Sequence, residues 1–587
     1  MDTLQSILTA KATRAIDEAF GDVLSEYESI AEVAPCQQEN FGHYQCNSAM
    51  KIAKILKKNP RDIAQIIIDF IDPLSVEGDL MIVKMDIAGP GFINIHIGPT
   101  FLSKDLNHAL NSEHLGVSLA PCPKRVIVEF SSPNIAKELH VGHLRSTIIG
   151  DCIARVFEFM GHDVLRLNHI GDWGTQFGML INYLKKYQPR IITGDKESDL
   201  SELTNWYKDA KKHFDEDEEF KKESQLEVVN LQGGQEEALL VWKIICDISR
   251  KAFEEIYGLL DVKIVERGES FYNPELPKIV EDLEKKNVIT VSDGAKCIFL
   301  EGYKNREGNP LPVMVQKSDG GYNYDTTDIA GFKQRIEDEK ADRIIIVTDA
   351  GQSLHFKMIY DAVVKANYLD PKKVRFDHVP FGLVLGPDGK KFKTRSGETE
   401  KLIDLLSTAV TKASEILKEK MEGISDEEAI NLGKILGIDA IKYADLSSHR
   451  VKDYVFSYDK MLKFEGNTAA FLLYAYVRIQ GIKRKKNIDI NELIQHTHIE
   501  LEHPSEVTLG LHLRRFGEIL EAVEQELLPN RLSDYLYTLA EKYNAFFRDC
   551  RVVGDEKESQ RLALSELTGR ILKKGLELLG LQVMDRM

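Results

Sequence analysis

His140-Val-Gly142-His143 is the tetrapeptide of this chain with the clearest capacity for chemistry. Two imidazoles this close can donate hydrogen bonds to phosphate oxygens, and the glycine between them leaves bare backbone on which a flat base can lie. The set suits a nucleotide whose α-phosphate is attacked, a reaction that needs charge stabilisation more than a covalent nucleophile. Taken alone, four residues with two fixed types recur by chance, and a pair of capping or surface histidines is the competing reading.

The flanking elements favour the chemical reading. Val126–Phe130 is a short apolar run rich in β-branched residues and reads as a buried strand, ended by Ser131, Ser132 and Pro133. From Leu144 onward, apolar residues recur at Ile148, Ile149, Cys152, Ile153, Val156, Phe157 and Met160, a helical spacing that Gly161 closes. The histidines therefore sit where a strand feeds a helix, whose first turn offers free N–H groups and a dipole that favours negative charge. The sequence has no Gly-x-x-x-x-Gly-Lys-Ser/Thr loop, which disfavours a P-loop ATPase. Gly89-Pro-Gly91 lacks the third glycine of a dinucleotide fingerprint and reads as a turn.

The 587 residues suffice for about three or four domains, each with its own core. A content of 43% hydrophobic and 29% charged residues is ordinary for a soluble globular protein. No apolar run is long enough to span a bilayer, and Met1-Asp-Thr-Leu-Gln5 starts no secretory signal, so a cytoplasmic protein without a membrane partner is expected. The seven cysteines (36, 46, 122, 152, 246, 297 and 550) are scattered and never form a Cys-x-x-Cys pair, which favours a reducing compartment and no structural zinc. His496, His498 and His503 lack a nearby cysteine and read as surface residues. A net charge of −17 repels nucleic acid in bulk, so any RNA contact must come from local basic surface. The candidates are Lys483-Arg-Lys-Lys486, Arg514-Arg515, and Lys51, Lys54, Lys57 and Lys58, each of which also reads as a solvated helix face.

Four segments are expected. Residues 1–120 form an α/β module with helices in the first thirty residues and about 47–70, strands at Met81–Met85 and Gly91–Ile97, and a linker at Ala120-Pro-Cys-Pro123. Residues 121–404 alternate strands (126–130, 163–168, 343–348 and 380–385) with helices, as a parallel sheet requires, around a charged helical insertion at about 185–265. A helical connector follows over 405–460, and 461–587 reads as an all-helical bundle with a stripe of Tyr535, Leu536, Leu539, Tyr543, Phe546 and Phe547. The fold class is thus multidomain α/β with a Rossmann-like nucleotide domain.

His140-x-Gly-His143 resembles the nucleotide-binding motif of class I aminoacyl-tRNA synthetases, and Glu129-Phe-Ser-Ser-Pro-Asn134 resembles the arginyl-tRNA synthetases in particular. The likeness continues in order through Asn168-His-Ile-Gly-Asp172-Trp-Gly-Thr-Gln176-Phe-Gly178, Tyr324-Asp-Thr-Thr-Asp328, Asp349-Ala-Gly-Gln352-Ser-Leu-His355, Lys391-Phe-Lys393-Thr-Arg395-Ser-Gly397, the stretch 466–474 and the terminal Leu578–Met587. It implies ATP-dependent ligation of arginine to tRNA(Arg) by a monomer, with Mg2+. His140, Gly142, His143 and His355 would bind ATP. The glycine-rich Gly386–Gly397 loop, with four cations, would face the phosphates from the other side. It departs from the class pattern Lys-Met-Ser-Lys-Ser in placing Thr394 where the second lysine stands, so Lys137, Lys391 and Lys393 are all eligible to contact the departing pyrophosphate.

By the same resemblance Glu129, Tyr324 and Asp328 would face the guanidinium, while Ser132, Asn134 and Gln352 would bind the α-amino and carboxylate groups. A guanidinium is always charged and asks for planar, bidentate carboxylates. The N-terminal module would grip the tRNA elbow through Asn40, Phe41, Tyr44 and Gln45, and the C-terminal bundle the anticodon through Tyr474, Tyr476 and Arg478. Three alternatives compete: a class I synthetase for another amino acid, a small-molecule adenylyltransferase, and a catalytically silent RNA-binding relative.

Overall fold

In the computed structural model, which describes residues 1–24, 31–36, 38, 41–392, 400–486 and 489–587, the run Val126–Phe130 becomes strand β1 (Arg125–Glu129) at the centre of a five-stranded sheet. Its neighbours are β2 (Asp163–Asn168), β3 (Val265–Glu266), β4 (Arg343–Asp349) and β5 (Arg375–Phe381). The order is 3-2-1-4-5 and every pairing is parallel, with Ile127 opposite Leu165 on one side and Ile344 on the other. Val126, Ile127, Val128 and Ile344–Val347 are buried, as strands covered on both faces must be. The strand expected at 380–385 lies earlier, at β5. Its alternating charges conceal it, but Asp377 pairs with the buried Arg343 of β4 at 2.7 Å, so that they are neutralised within the sheet. Val384–Leu385 instead forms a two-residue strand beside Tyr454–Val455.

Helix α1 (Val141–Phe159) follows β1 and is buried nearly all round. Gly150 permits this: a Cβ there would lie 2.3 Å from Phe130 Cβ, so only glycine lets the helix approach the end of β1. Between β2 and β3 the chain detours through α2 (Gln176–Tyr187), α3 (Leu200–Glu216), α4 (Glu218–Gln232) and α5 (Glu236–Leu259). Between β3 and α6 (Tyr324–Glu337) lies a small antiparallel sheet of Thr290–Ser292, Ala295–Ile298 and Val313–Gln316, whose strands are too short to show a period in the sequence. Helices α7 (Ser353–Lys365), α8 (Leu402–Lys420) and α9 (Asp426–Leu446) lead into the C-terminal bundle of α10 (Ala469–Lys486), α11 (Pro504–Arg514), α12 (Phe516–Glu526), α13 (Asn530–Asp549) and α14 (Glu558–Leu578). Tyr535, Leu536, Leu539, Tyr543 and Phe546 lie in the core of that bundle.

The N-terminal module packs four helices (Leu4–Leu24, Ser48–Leu56, Pro60–Phe70 and Pro99–Leu110) on an antiparallel sheet of Val33–Pro35, Tyr44–Cys46, Phe92–Ile97 and Ile82–Ala88. It is clasped to the distant bundle. Tyr44 Oη donates to Glu518 at 2.6 Å, Arg515 donates to the His43 carbonyl at 2.6 Å, and Arg514 bonds Asp105 at 2.6 Å and the Asp2 carbonyl at 2.7 Å. Asn107 exchanges two hydrogen bonds with the backbone of Ile499. Arg514-Arg515, a candidate RNA patch in the sequence, is thus an internal latch.

Candidate active site

His140 is the N-cap of α1. Its Nδ1 accepts from Gly142 N–H at 3.0 Å, while His143 Nδ1 accepts from His140 N–H at 3.1 Å. With both Nδ1 atoms accepting, each neutral ring must carry its proton on Nε2, which leaves two donors at the helix terminus. Burial lowers the pKa of both, for His140 with help from the charge of Lys391 and for His143 down to about 3 with help from His140 and Lys137. These are neutral donors at physiological pH. The backbone of Gly142 is not bare: a Cβ there would lie 2.9 Å from His140 Cε1, so the His140 ring occupies the surface the sequence offered to a base.

These histidines line a cavity of about 490 Å³ together with Ser132, Gln352, Gly382 and Lys391. It opens at the carboxyl ends of β1 and β4, where the strand order reverses, the position at which open parallel sheets bind ligands. Lys391 ends a tight loop in which Gly386 N–H donates to Lys390 O at 2.7 Å and Phe392 N–H to Val384 O at 3.0 Å. Lys393 lies outside the described residues. Lys137 is exposed outside the cavity, 6.0 Å from the Tyr207 ring centre, and its charge bears on His143.

The remaining candidates gather in an acidic cluster. Asp328, one turn after Tyr324 on α6, holds His355 Nε2 at 2.6 Å, and Asp325 lies 3.4 Å from its Nδ1. Burial opposes a charged His355, but these carboxylates hold its pKa above the ordinary value. His355, expected beside the nucleotide, is thus held by the carboxylates of the acidic cluster. The Tyr324 ring stands edge-on to His355 at 5.2 Å and is 62% exposed. Asn134, exposed, packs its amide over Gly171, where a Cβ would meet Oδ1 at 2.1 Å. Glu129 departs from expectation as an open ligand: it is buried with Oε2 2.6 Å from Nη2 of the buried Arg335, so an internal guanidinium already sits on it.

Glu269 was not legible in the sequence. Burial, with Asp328 and Asp172 nearby, pushes its carboxyl up to about 8 against an opposing hydrogen bond from the Trp173 N–H. Asp172 in turn accepts from Ser270 N–H at 2.8 Å and Oγ at 2.6 Å. The one local trace of this packing is Gly268, where a Cβ would lie 2.6 Å from the Asp172 carboxylate. A cluster this acidic, with one member held protonated by burial and neighbouring carboxylates, suits a positively charged group.

Among the residues assigned to RNA, Phe41 and Tyr474 are 57% and 44% exposed. The Arg478 guanidinium lies between Tyr474 and Phe547, 5.2 and 5.5 Å from their ring centres. Tyr44 and Tyr476 are buried, Tyr44 in the interdomain latch, so neither ring is open to stack on a base. Gln45 is half-buried and gives its amide to Asn94 at 2.9 Å. Asn40 lies outside the described residues. Of the basic runs, Lys483 and Lys486 are paired with Glu566 and Glu558 of α14.

Comparison with known proteins agrees with this geometry. Residues 105–458 match the model of the class I tRNA synthetase (R) catalytic domain, 472–587 the DALR anticodon-binding domain, and 6–97 the arginyl-tRNA synthetase N-terminal domain. The arginine–tRNA ligases of Protochlamydia amoebophila and Chlamydia pneumoniae are 58% and 51% identical, with full coverage of both chains in each case. The crystal structure of arginyl-tRNA synthetase from Plasmodium falciparum superposes with a TM-score of 0.87 at 34% identity, again over both full lengths. With catalytic, N-terminal and anticodon-binding modules all matched in order, the chain belongs to the arginyl-tRNA synthetases of class I.

Proposed function

We propose the following division of labour for the reaction of this family, the ATP-dependent attachment of L-arginine to tRNA(Arg). The arginine carboxylate attacks the α-phosphorus of ATP, and pyrophosphate leaves. A ribose hydroxyl at the 3′ end of the tRNA then attacks the adenylate carbonyl, and AMP leaves. His140 and His143 donate from Nε2 to phosphate oxygens as charge builds, a task for preorganised neutral donors rather than acids or bases. Lys391 approaches from the facing loop, with Lys137 and Lys393 as the further cations. ATP is taken as its magnesium complex. Mg2+ keeps several waters and is held largely by substrate phosphates, so the ion travels with the triphosphate.

Asp328 and Glu269 take the guanidinium, with Tyr324 beside it, while Ser132, Asn134 and Gln352 hold the α-amino and carboxylate end. Glu129 acts through Arg335. The observation that carries this reading is the acidic cluster of Asp328, Asp325, Asp172 and Glu269, with Glu269 protonated through its burial beside Asp328 and Asp172. Phe41 on the N-terminal module and the Tyr474–Arg478–Phe547 stack on the bundle are the surfaces offered to RNA bases. We place the protein as a monomer in the cytoplasm, where seven scattered thiols suit a reducing compartment. Replacing Asp328→Ala tests the pocket: arginine KM should rise about 100-fold or more, as for loss of a charged hydrogen-bond partner, with ATP KM within about threefold. Equal effects on both substrates would remove the assignment.

A further inference from the structure

The segment that presents Ser132, Asn134 and Lys137 is strained. Ser131, Ser132 and Ala136 have φ of 70°, 47° and 61°, a left-handed conformation that non-glycine residues adopt at a cost. Such a backbone persists only where its surroundings over-determine it, so the groups that hold it can be named. The N–H of Ser131 is taken by Ser146 Oγ of α1 at 2.9 Å, and that of Ser132 by Asn168 Oδ1 at the end of β2 at 2.9 Å. Gly171 exchanges two bonds with the segment, its N–H donating to Pro133 O at 2.9 Å and its O accepting from Ile135 N–H at 3.1 Å, and Thr204 Oγ1 of α3 donates to Ala136 O at 3.4 Å. Further holds on the left-handed residues come from α5, a helix of the insertion that supplies none of the residues assigned above. Its buried Tyr257 hydroxyl lies 2.7 Å from Ser131 Oγ and accepts from Asn168 Nδ2 at 3.1 Å. Its buried Ser249 Oγ accepts the Ala136 N–H at 3.0 Å and donates to Ile245 O.

We infer that Tyr257 and Ser249 are positioning residues: two hydroxyls on one face of α5, eight residues apart, that clamp the left-handed backbone of residues 131–136 and so set where Ser132 and Asn134 meet the amino acid. The Tyr257 hydroxyl ties two strands of the site at once, since Asn168 bonds both it and the Ser132 N–H. Without it Ser131 keeps its strain with only the Ser146 bond to its N–H left to hold it, and the loop relaxes toward an ordinary conformation that carries Ser132 away. On this account the insertion is part of the catalytic apparatus. The inference rests on the reading of Ser132 and Asn134 as arginine-binding residues.

Tyr257→Phe removes the hydroxyl and keeps the ring. It should raise arginine KM about tenfold, the effect of one buried hydrogen bond, and leave ATP KM within about twofold. Ser249→Ala should do the same. Adding Ser131→Gly to Tyr257→Phe should return arginine KM toward that of Ser131→Gly alone, because glycine adopts φ near 70° without an anchor. A purely structural tyrosine would lower the melting temperature without this KM split or rescue. Wild-type arginine KM in both single variants, equal movement of both KM values, or failure of both variants to fold would overturn the inference, the last by making the hydroxyls core supports. The arginine-pocket reading fails on a separate result, unchanged arginine affinity in Asp328→Ala.

Discussion

On the proposed reading the two imidazoles act through Nε2, since both Nδ1 atoms accept backbone N–H groups at the helix end. His140→Ser keeps an N-cap oxygen but loses the distant donor, so the rate of adenylate formation should fall about 100-fold while thermal stability changes by only a few tenths of a kcal/mol. A melting temperature that falls in step with the rate would make His140 a structural cap. Since folding lowers the His143 pKa from 6.5 to about 3, the unfolded chain binds this proton first on acidification. The His143 contribution to stability is therefore complete above pH 6.5 and lost as pH falls toward 3. Denaturant melts at pH 7 and 5 should show that loss, and His143→Asn should reduce it. Glu269 has the opposite sign. Its folded pKa of about 8 lies above the unfolded 4.5, so it costs the free enzyme stability as pH rises between those values. A bound guanidinium should draw the carboxyl back to its ionised form. Calorimetry at pH 7 in buffers of different ionisation enthalpy should thus find up to about one proton released per arginine bound, and none in Glu269→Gln. Proton uptake, or release that persists in the variant, would remove Glu269 from the pocket. The histidine pair was legible because its signal is local. Glu269, Arg335 and Tyr257 were not, because burial and tertiary neighbours, rather than spacing, give them their roles.

Helix α1 converts packing into the position of the histidines. Two turns below its capped end, Gly150 sits against Phe130, and an alanine there would force a Cβ into the immovable Phe130 Cβ. Gly150→Ala should destabilise the protein by about 1–3 kcal/mol and slow activation, since the helix must back away from the sheet. An unchanged melting temperature would refute the close approach. Arg145 on the same helix is fully buried, bonding Asp445 of α9 at 3.0 Å and the Gly382 carbonyl at 2.7 Å. Arg145→Ala would leave Asp445 as an uncompensated buried charge, costing about 3–5 kcal/mol. At this scale the sequence served well where apolar runs were continuous, as in β1, β4 and α1. It misplaced β5, whose charges are satisfied across strands, and concealed the three short antiparallel strands between β3 and α6.

Across the whole molecule, the N-terminal module and the C-terminal bundle hold each other although Tyr44 and Glu518 are 474 residues apart. An aromatic beside amides looks in sequence like an RNA contact, and burial shows Tyr44 to be a joint instead. Breaking that joint with Glu518→Ala should speed proteolytic cleavage near Ala120–Pro123 and raise the KM for tRNA while leaving ATP KM unmoved. Cleavage at the wild-type rate would mean that the modules are held by other contacts. A joint of this kind fixes the distance between the two modules, so on the proposed reading one tRNA reaches both surfaces at once. Selection of arginine and its loading on RNA are measured together by incubating the purified protein with ATP, magnesium and total tRNA and offering each labelled amino acid in turn. Label should appear on tRNA with arginine alone. Label with another amino acid would contradict the acidic pocket, and no label from folded protein would contradict the catalytic reading as a whole.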